Sequence, residues 1–159
     1  MMNGITIQKL LPSDHARIES IAHWYREEWN VPAERTIKRL STQSPDDIIF
    51  HLVLSKDDQP VATGGLYHQV GILMEHEKFR ATGPWVALVY TKPENRNQGI
   101  GRILLDEIEN VSREIGIRKI YLYTFTAETL YLRSGWKPTE RIIYHGHDTV
   151  VMEKELPGI

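Results

Sequence analysis

The stretch from Trp85 to Phe125 constrains the fold of this chain more than any other. Trp85-Val86-Ala87-Leu88-Val89-Tyr90 is a continuous apolar run. It is short enough for a strand and apolar on both faces, which predicts a central, buried strand. Arg96-Asn97-Gln98-Gly99-Ile100-Gly101 follows and opens a helical pattern, with Ile100, Ile103, Leu104, Ile108, Val111 and Ile115 on one stripe. Gly116 stands where a helix would end, and Lys119 to Phe125 reads as the next strand. Two strands joined through a helix pair in parallel by a right-handed crossover. Any fold for this chain must contain that unit.

The flanking segments extend it. Ile5 to Lys9 alternates as a short strand, and Pro12-Ser13-Asp14 marks a helix entry with Ser13 or Asp14 as cap. Ile18, Ile21, Ala22, Tyr25 and Trp29 then fall on one helical stripe, with Trp24 off it. Asn30-Val31-Pro32 breaks that helix, and Ala33 to Leu40 predicts a second, with Ile37 and Leu40 as its apolar positions. Ile48 to Ser55 and Val61 to Tyr67 flank a polar turn and predict an antiparallel hairpin. Gly64-Gly65 inside its second strand predicts a bulge or a close backbone approach. Val70 to Pro84 reads as a loop holding a helical turn. A short helix spans about Ala127 to Arg133. Lys137 to His145 and Thr149 to Glu155 form a terminal hairpin turning at His145-Gly146-His147-Asp148. The order is βααββ-βαβαββ, a mixed α/β sheet.

Composition excludes several classes. The chain has 159 residues, which suits one domain, 1–159, with a real core. Formal net charge is −2, so nothing argues for nucleic acid as a partner. No cysteine is present, which removes a disulfide scaffold, a thiolate zinc site and a cysteine nucleophile together. The start, Met1-Met2-Asn3-Gly4-Ile5, shows no signal peptide, and no apolar run approaches a membrane span. No membrane partner and a cytoplasmic location are therefore expected. His145 and His147 at i, i+2 without a clear third ligand read as a hairpin turn, so no metal is expected.

The glycine turn carries chemistry. A strand, a tight glycine turn and a helix start, in that order, make a cradle for a phosphate-sized anion. The first backbone N–H groups of a helix lack partners and carry positive partial charge. Glycine lets a phosphate approach the backbone. Arg96 or Arg102 can add charge-assisted bonds. A dinucleotide-binding unit fits less well, because Leu104 stands where its third glycine would be.

The element order, with Arg96 to Gly101 where they stand, resembles the GCN5-related N-acetyltransferases (GNAT). Their pyrophosphate loop reads Arg/Gln-x-x-Gly-x-Gly/Ala, matched here at each fixed position. A second block, Ala127-Glu128-Thr129-Leu130-Tyr131-Leu132-Arg133-Ser134-Gly135-Trp136, is similar to the family's Ala-x-x-Leu-Tyr-x-x-x-Gly-Phe, with Trp136 replacing Phe. The resemblance implies a mixed, mostly antiparallel twisted sheet of about seven strands, with a splayed central parallel pair and helices on both faces. It implies an acetyl-CoA-dependent N-acetyltransferase. The amine of a small molecule or peptide would attack acetyl-CoA directly in a ternary complex, without a metal. Dimers are common in the family, so a homodimer is possible. A catalytically silent acyl-CoA-binding sensor or regulatory module is the alternative.

Residue roles follow from the same resemblance. Arg96, Asn97, Gln98, Gly99, Ile100, Gly101 and Arg102 would hold the pyrophosphate. Val89, Tyr90 and Thr91 would pair with the pantetheine arm. One N–H near Val89 or Tyr90 would hold the thioester oxygen as it becomes an oxyanion. Thr124 stands where many members carry an Asn that meets that arm. Tyr131 matches the tyrosine beside the leaving sulfur. A thiol titrates near ~8.5 and a tyrosine near ~10, so Tyr131 serves as hydrogen-bond donor as much as full acid. Many members carry a glutamate base in the strand before the loop, but Trp85 to Thr91 contains no carboxylate. Glu28, Glu75, His68 and His145 are the open candidates. The acceptor pocket of this fold points to Trp24, Glu28, Glu75 and Tyr144, with Trp24 preferred over Tyr25 and Trp29 because it lies off the apolar stripe.

Overall fold

A computed structural model of the chain describes residues 4–158. The expectations that rest on Met1 to Asn3 lie outside the described residues. Seven strands form one sheet in the order β1-β2-β3-β4-β5-β7-β6. They are β1 (Ile5–Lys9), β2 (Ile48–Lys56), β3 (Gln59–Tyr67), β4 (Trp85–Thr91), β5 (Lys119–Thr124), β6 (Lys137–Tyr144) and β7 (His147–Glu155). Every neighbouring pair is antiparallel except β4 and β5, which run parallel. The helices are α1 (His15–Trp29), α2 (Ala33–Thr42), α3 (Ile72–Glu75), α4 (Ile100–Glu114) and α5 (Glu128–Arg133). None of the described helices is long and apolar enough to cross a membrane.

Side-chain alternation on the strands divides the core in two. One half gathers Ile100, Leu104, Leu105 and Ile108 of α4 with Phe50, Leu52, Leu54, Leu66, Ile120, Leu122 and Met152. The other gathers Ile18, Ile21, Trp24 and Tyr25 of α1 and Leu40 of α2 with Val53, Tyr67, Trp85, Tyr90 and Val151. Successive residues of β2 divide between them: Leu52 and Leu54 face α4, and Val53 faces α1. The apolar stripe read for α4 is thus its sheet-facing side. It runs on to Val111, which is partly buried against the same half, and Ile115 is exposed at the cap. Ile37 is likewise exposed, and Thr36 is buried on α2 in its stead.

Two irregularities shape β4. Thr63 faces Tyr90 and Gly65 faces Ala87, so Leu88 and Val89 together oppose Gly64. This is a β-bulge, and Leu88 takes a φ of 59° within it. An L-residue there costs about 1–2 kcal/mol. The two glycines of β3 make it sterically possible. A Cβ on Gly64 would lie 3.0 Å from the Val89 side chain, and one on Gly65 would lie 2.6 Å from the Phe50 carbonyl oxygen. The second irregularity is the parallel pair itself. Trp85 and Tyr121 are its one registered pair, after which β4 and β5 separate. The expectation that β4 is buried on both faces is corrected on this ground. Ala87, Leu88 and Val89 are only half-buried, because the neighbouring strand has left their flank.

The terminal hairpin turns more tightly than expected. His145 (φ 49°) and Gly146 (φ 79°) are its two loop residues, and His147 and Asp148 already belong to β7.

Candidate functional site

The open side of the β4–β5 separation meets the N-terminus of α4. Gly99 caps that helix at φ 80°, a backbone conformation that favours glycine, and no side chain bonds the cap. A Cβ built on Gly99 would meet nothing within 4 Å. The backbone at this cap is therefore open on the side that a Cβ would occupy. One on Gly101 would find only the Thr91 hydroxyl, at 3.8 Å. Asn97 also takes a positive φ of 62°, a left-handed turn in the loop just before the helix start. These features fit a phosphate-bearing ligand: unpartnered donors, room for the ligand, and the positive end of a fifteen-residue helix.

The charged side chains of the loop are held locally. Arg96 donates from Nε to the Thr91 carbonyl at 2.8 Å and pairs through Nη2 with Glu28 Oε1 at 3.1 Å. Its guanidinium also lies over the Tyr90 ring, 5.5 Å from the centroid. Arg102 pairs with Asp106 one turn along at 3.2 Å. Gln98 donates to the Glu94 carbonyl and accepts from Lys56. The loop is thus braced to β4, to α1 and to itself, and its backbone remains the anion-facing surface.

Thr124 ends β5 and accepts from the N–H groups of Thr126 and Ala127 at 3.3 and 3.1 Å. It shapes the entry to α5. Tyr131 on α5 is half-buried, and its ring meets Trp136 edge-on at 6.0 Å. Burial raises its pKa and keeps the phenol protonated.

On the α1 side, Tyr90 is ringed by three aromatics. Trp24 stacks on it at 5.4 Å, and Tyr25 and Trp29 meet its edge at 6.4 and 6.0 Å. This corrects the ranking on α1. Trp24 is 8 % exposed and belongs to the core, whereas Trp29, expected in the core, is 43 % exposed. The Tyr90 ring, inserted beneath α1, widens the face that this helix buries beyond a single stripe.

A second cluster lies on the same side of the sheet. Tyr123 and Tyr144 meet edge to face at 5.3 Å, and the Tyr123 hydroxyl would lie 3.5 Å from a Cβ placed on Gly71. A side chain at position 71 would collide with the Tyr144 hydroxyl. Glu75 Oε2 approaches His145 Nδ1 to 3.9 Å, and His76 Nε2 lies 2.9 Å from the Ile143 carbonyl. The structure therefore brings Glu75, Tyr144 and His145 together, and separately pairs Glu28 with Arg96. His68 is exposed at the end of β3, outside both groups.

Three features escape a reading of the sequence alone. Tyr123 is signalled only by its spacing from Tyr121, which puts both on one face of β5. Tyr25 donates from its hydroxyl to the Leu88 carbonyl at 2.6 Å, a contact across 63 positions with no local signature. His51, Thr63 and Tyr67 form a buried hydrogen-bonded chain across β2 and β3.

Comparison with known proteins gives the same architecture. Residues 18–136 match the model of the acetyltransferase (GNAT) family. PaiA N-acetyltransferase from Thermoplasma acidophilum, solved with coenzyme A, superposes with a TM-score of 0.65 at 22 % identity, covering 95 % of this chain and 98 % of that one. YncA from Salmonella typhimurium, solved with its cofactor acetyl-CoA, gives 0.70 at 18 % identity, covering 98 % and 95 %. The ribosomal-protein-S18-alanine N-acetyltransferase from Escherichia coli gives 0.70 at 17 % identity, covering 96 % and 94 %. No curated protein matches the chain. At these identities the superpositions speak for the fold.

Proposed function

The chain belongs to the acetyltransferase (GNAT) family, and we propose that within it this protein carries the acetyl group of acetyl-CoA to a primary amine of a small molecule or peptide. The observation that carries the reading is the uncapped N-terminus of α4, open at Gly99 and set beside the separating ends of β4 and β5. Backbone N–H groups from Gly99 to Arg102 would receive the pyrophosphate, and Val89 to Thr91 would flank the pantetheine arm. Acetyl-CoA supplies a thioester carbon that an amine can attack.

The chain's own groups then divide the work. The amine nitrogen forms a bond to the carbonyl carbon and the carbon–sulfur bond breaks. A backbone N–H on β4 stabilises the charge on the carbonyl oxygen. Tyr131, held protonated, donates to the departing thiolate. The acceptor approaches from the α1 side, where Glu75, Tyr144 and His145 offer an aromatic wall with a carboxylate at its rim. Such a wall suits an acceptor that arrives as an ammonium ion. Glu75 or His145, directly or through water, takes one proton from the ammonium before the nitrogen attacks. The second proton that the nitrogen sheds on becoming an amide restores Tyr131, whose own proton has gone to the thiolate.

The test is thiol release from acetyl-CoA across a panel of amines and N-terminal peptides, alongside calorimetric titration with acetyl-CoA. Binding with acceptor-dependent thiol release is expected. Tight binding with no release for any amine supports the silent-sensor alternative, and no binding rejects both.

A further inference from the structure

Resting on the acetyl-CoA reading above, we propose that Tyr25 is a positioning residue for acetyl transfer: by holding the Leu88 carbonyl, it aims the Val89 N–H at the thioester oxygen. The Leu88 carbonyl and the Val89 N–H belong to one peptide unit. That unit is planar and trans, so the two groups point in opposite directions. A hydroxyl on α1 that fixes the carbonyl therefore fixes the N–H, on the side away from α1.

The position of this peptide gives the contact its meaning. It lies inside the β4 bulge, where Leu88 and Val89 together oppose Gly64. A regular ladder would set the orientation of each peptide, but the bulge interrupts the ladder here. It also lies where β5 has left the flank of β4, so the neighbouring strand does not set it either. Tyr25 supplies what the sheet has lost, through a 2.6 Å hydrogen bond to Leu88.

Tyr25 is built to do this without moving. The residue is 1 % exposed, its ring stacks on Trp29 at 5.1 Å, and it lies nearly perpendicular to the Tyr90 ring at 6.4 Å. A carbonyl has no proton to give, so the phenol is the donor. Burial pushes the Tyr25 pKa well up, and the donor proton persists at every working pH. The Tyr25 proton goes to the Leu88 carbonyl, at 2.6 Å. An N–H held in place before the charge develops costs nothing to reorient during the reaction, which is why pre-set donors accelerate acyl transfer.

The experiment uses the full chain and its Tyr25→Phe variant. The variant is expected to bind acetyl-CoA with a Kd within about twofold of the parent, while kcat falls roughly ten- to a hundredfold. Infrared spectra of bound acetyl-CoA, carbon-13 labelled at the carbonyl, report polarisation directly. The carbonyl stretch is expected to move in the variant toward its frequency in water. If Tyr25→Phe does not fold, the Val89 amide proton resonance of the unaltered protein decides the matter. It is expected to shift downfield with acetyl-CoA and not with CoA. Unchanged kcat and stretch in a folded variant, or equal Val89 shifts with both ligands, overturn the proposal. An unaltered protein that binds no acetyl-CoA rejects the functional reading first, and Tyr25 loses its role with it.

Discussion

His51 Nε2 lies 2.7 Å from the Thr63 hydroxyl oxygen, and the proton between them belongs to His51. The Thr63 proton is already given to the Leu52 carbonyl at 2.7 Å, so Thr63 can only accept. The other ring nitrogen, Nδ1, then accepts from the Tyr67 hydroxyl at 2.8 Å. The ring is neutral, with one tautomer fixed by its neighbours. Burial, followed by the nearby Arg39 guanidinium, depresses its pKa to about 3.

That depression makes stability depend on pH. The unfolded histidine takes up a proton below about pH 6.5, and the folded one resists until about 3. The stabilisation is complete above the unfolded pKa and is lost as pH falls between the two values. Its limiting slope is about 1.4 kcal/mol per pH unit. Urea unfolding between pH 6.5 and 5, above most carboxylate titration, is expected to show this slope in the parent and to lose it in His51→Gln. Equal slopes would contradict a His51 ring held neutral by its burial.

Tyr131→Phe removes a phenol for which burial is the one cause of a raised pKa. The variant is expected to keep its thermal midpoint and its affinity for acetyl-CoA. Acceptor-dependent thiol release is expected to fall by about 10²-fold, in line with the loss of a proton donor. Undiminished turnover would take Tyr131 out of the mechanism.

The glycines at 65 and 101 predict opposite outcomes. Alanine at 65 would set its Cβ 2.6 Å from the Phe50 carbonyl and 2.7 Å from the His51 ring, and is expected to cost about 1–3 kcal/mol. Alanine at 101 meets only the Thr91 hydroxyl at 3.8 Å, inside a helix. It is expected to add about 0.5–1 kcal/mol by restricting the unfolded chain. Chemical denaturation of Gly65→Ala and Gly101→Ala separates them, and a loss for both would show that the start of α4 is tighter than its geometry allows.

Glu109 and Lys154 form a pair beneath α4 at 2.9 Å, with side-chain exposures of 8 % and 22 %. Lys154 also donates to the Ser134 carbonyl at 2.7 Å, tying α5 to β7. Lys154→Met leaves a buried carboxylate alone and is expected to cost about 3–5 kcal/mol. The double variant with Glu109→Leu is expected to recover most of that loss. Urea midpoints of the two variants provide the measure, and an equally unstable double variant would refute the account.

Local pattern determined much of this protein. Apolar period and turn chemistry set the order of strands and helices, because each depends on neighbours a few positions apart. The same holds for the Arg96 to Gly101 loop, whose glycines and following helix are contiguous in the chain. Strand order, the bulge at Leu88 and Val89, and the separation of β4 from β5 were decided by tertiary structure. The bulge, for one, depends on Gly64 and Gly65 meeting a strand more than twenty positions away. The exchange of Trp24 and Trp29 between core and surface has the same origin, since the face that α1 buries was set by the Tyr90 ring beneath it. The hydrogen bond from Tyr25 to Leu88 shows the reason most directly. Its energy lies between two residues that become neighbours only when α1 closes over β4.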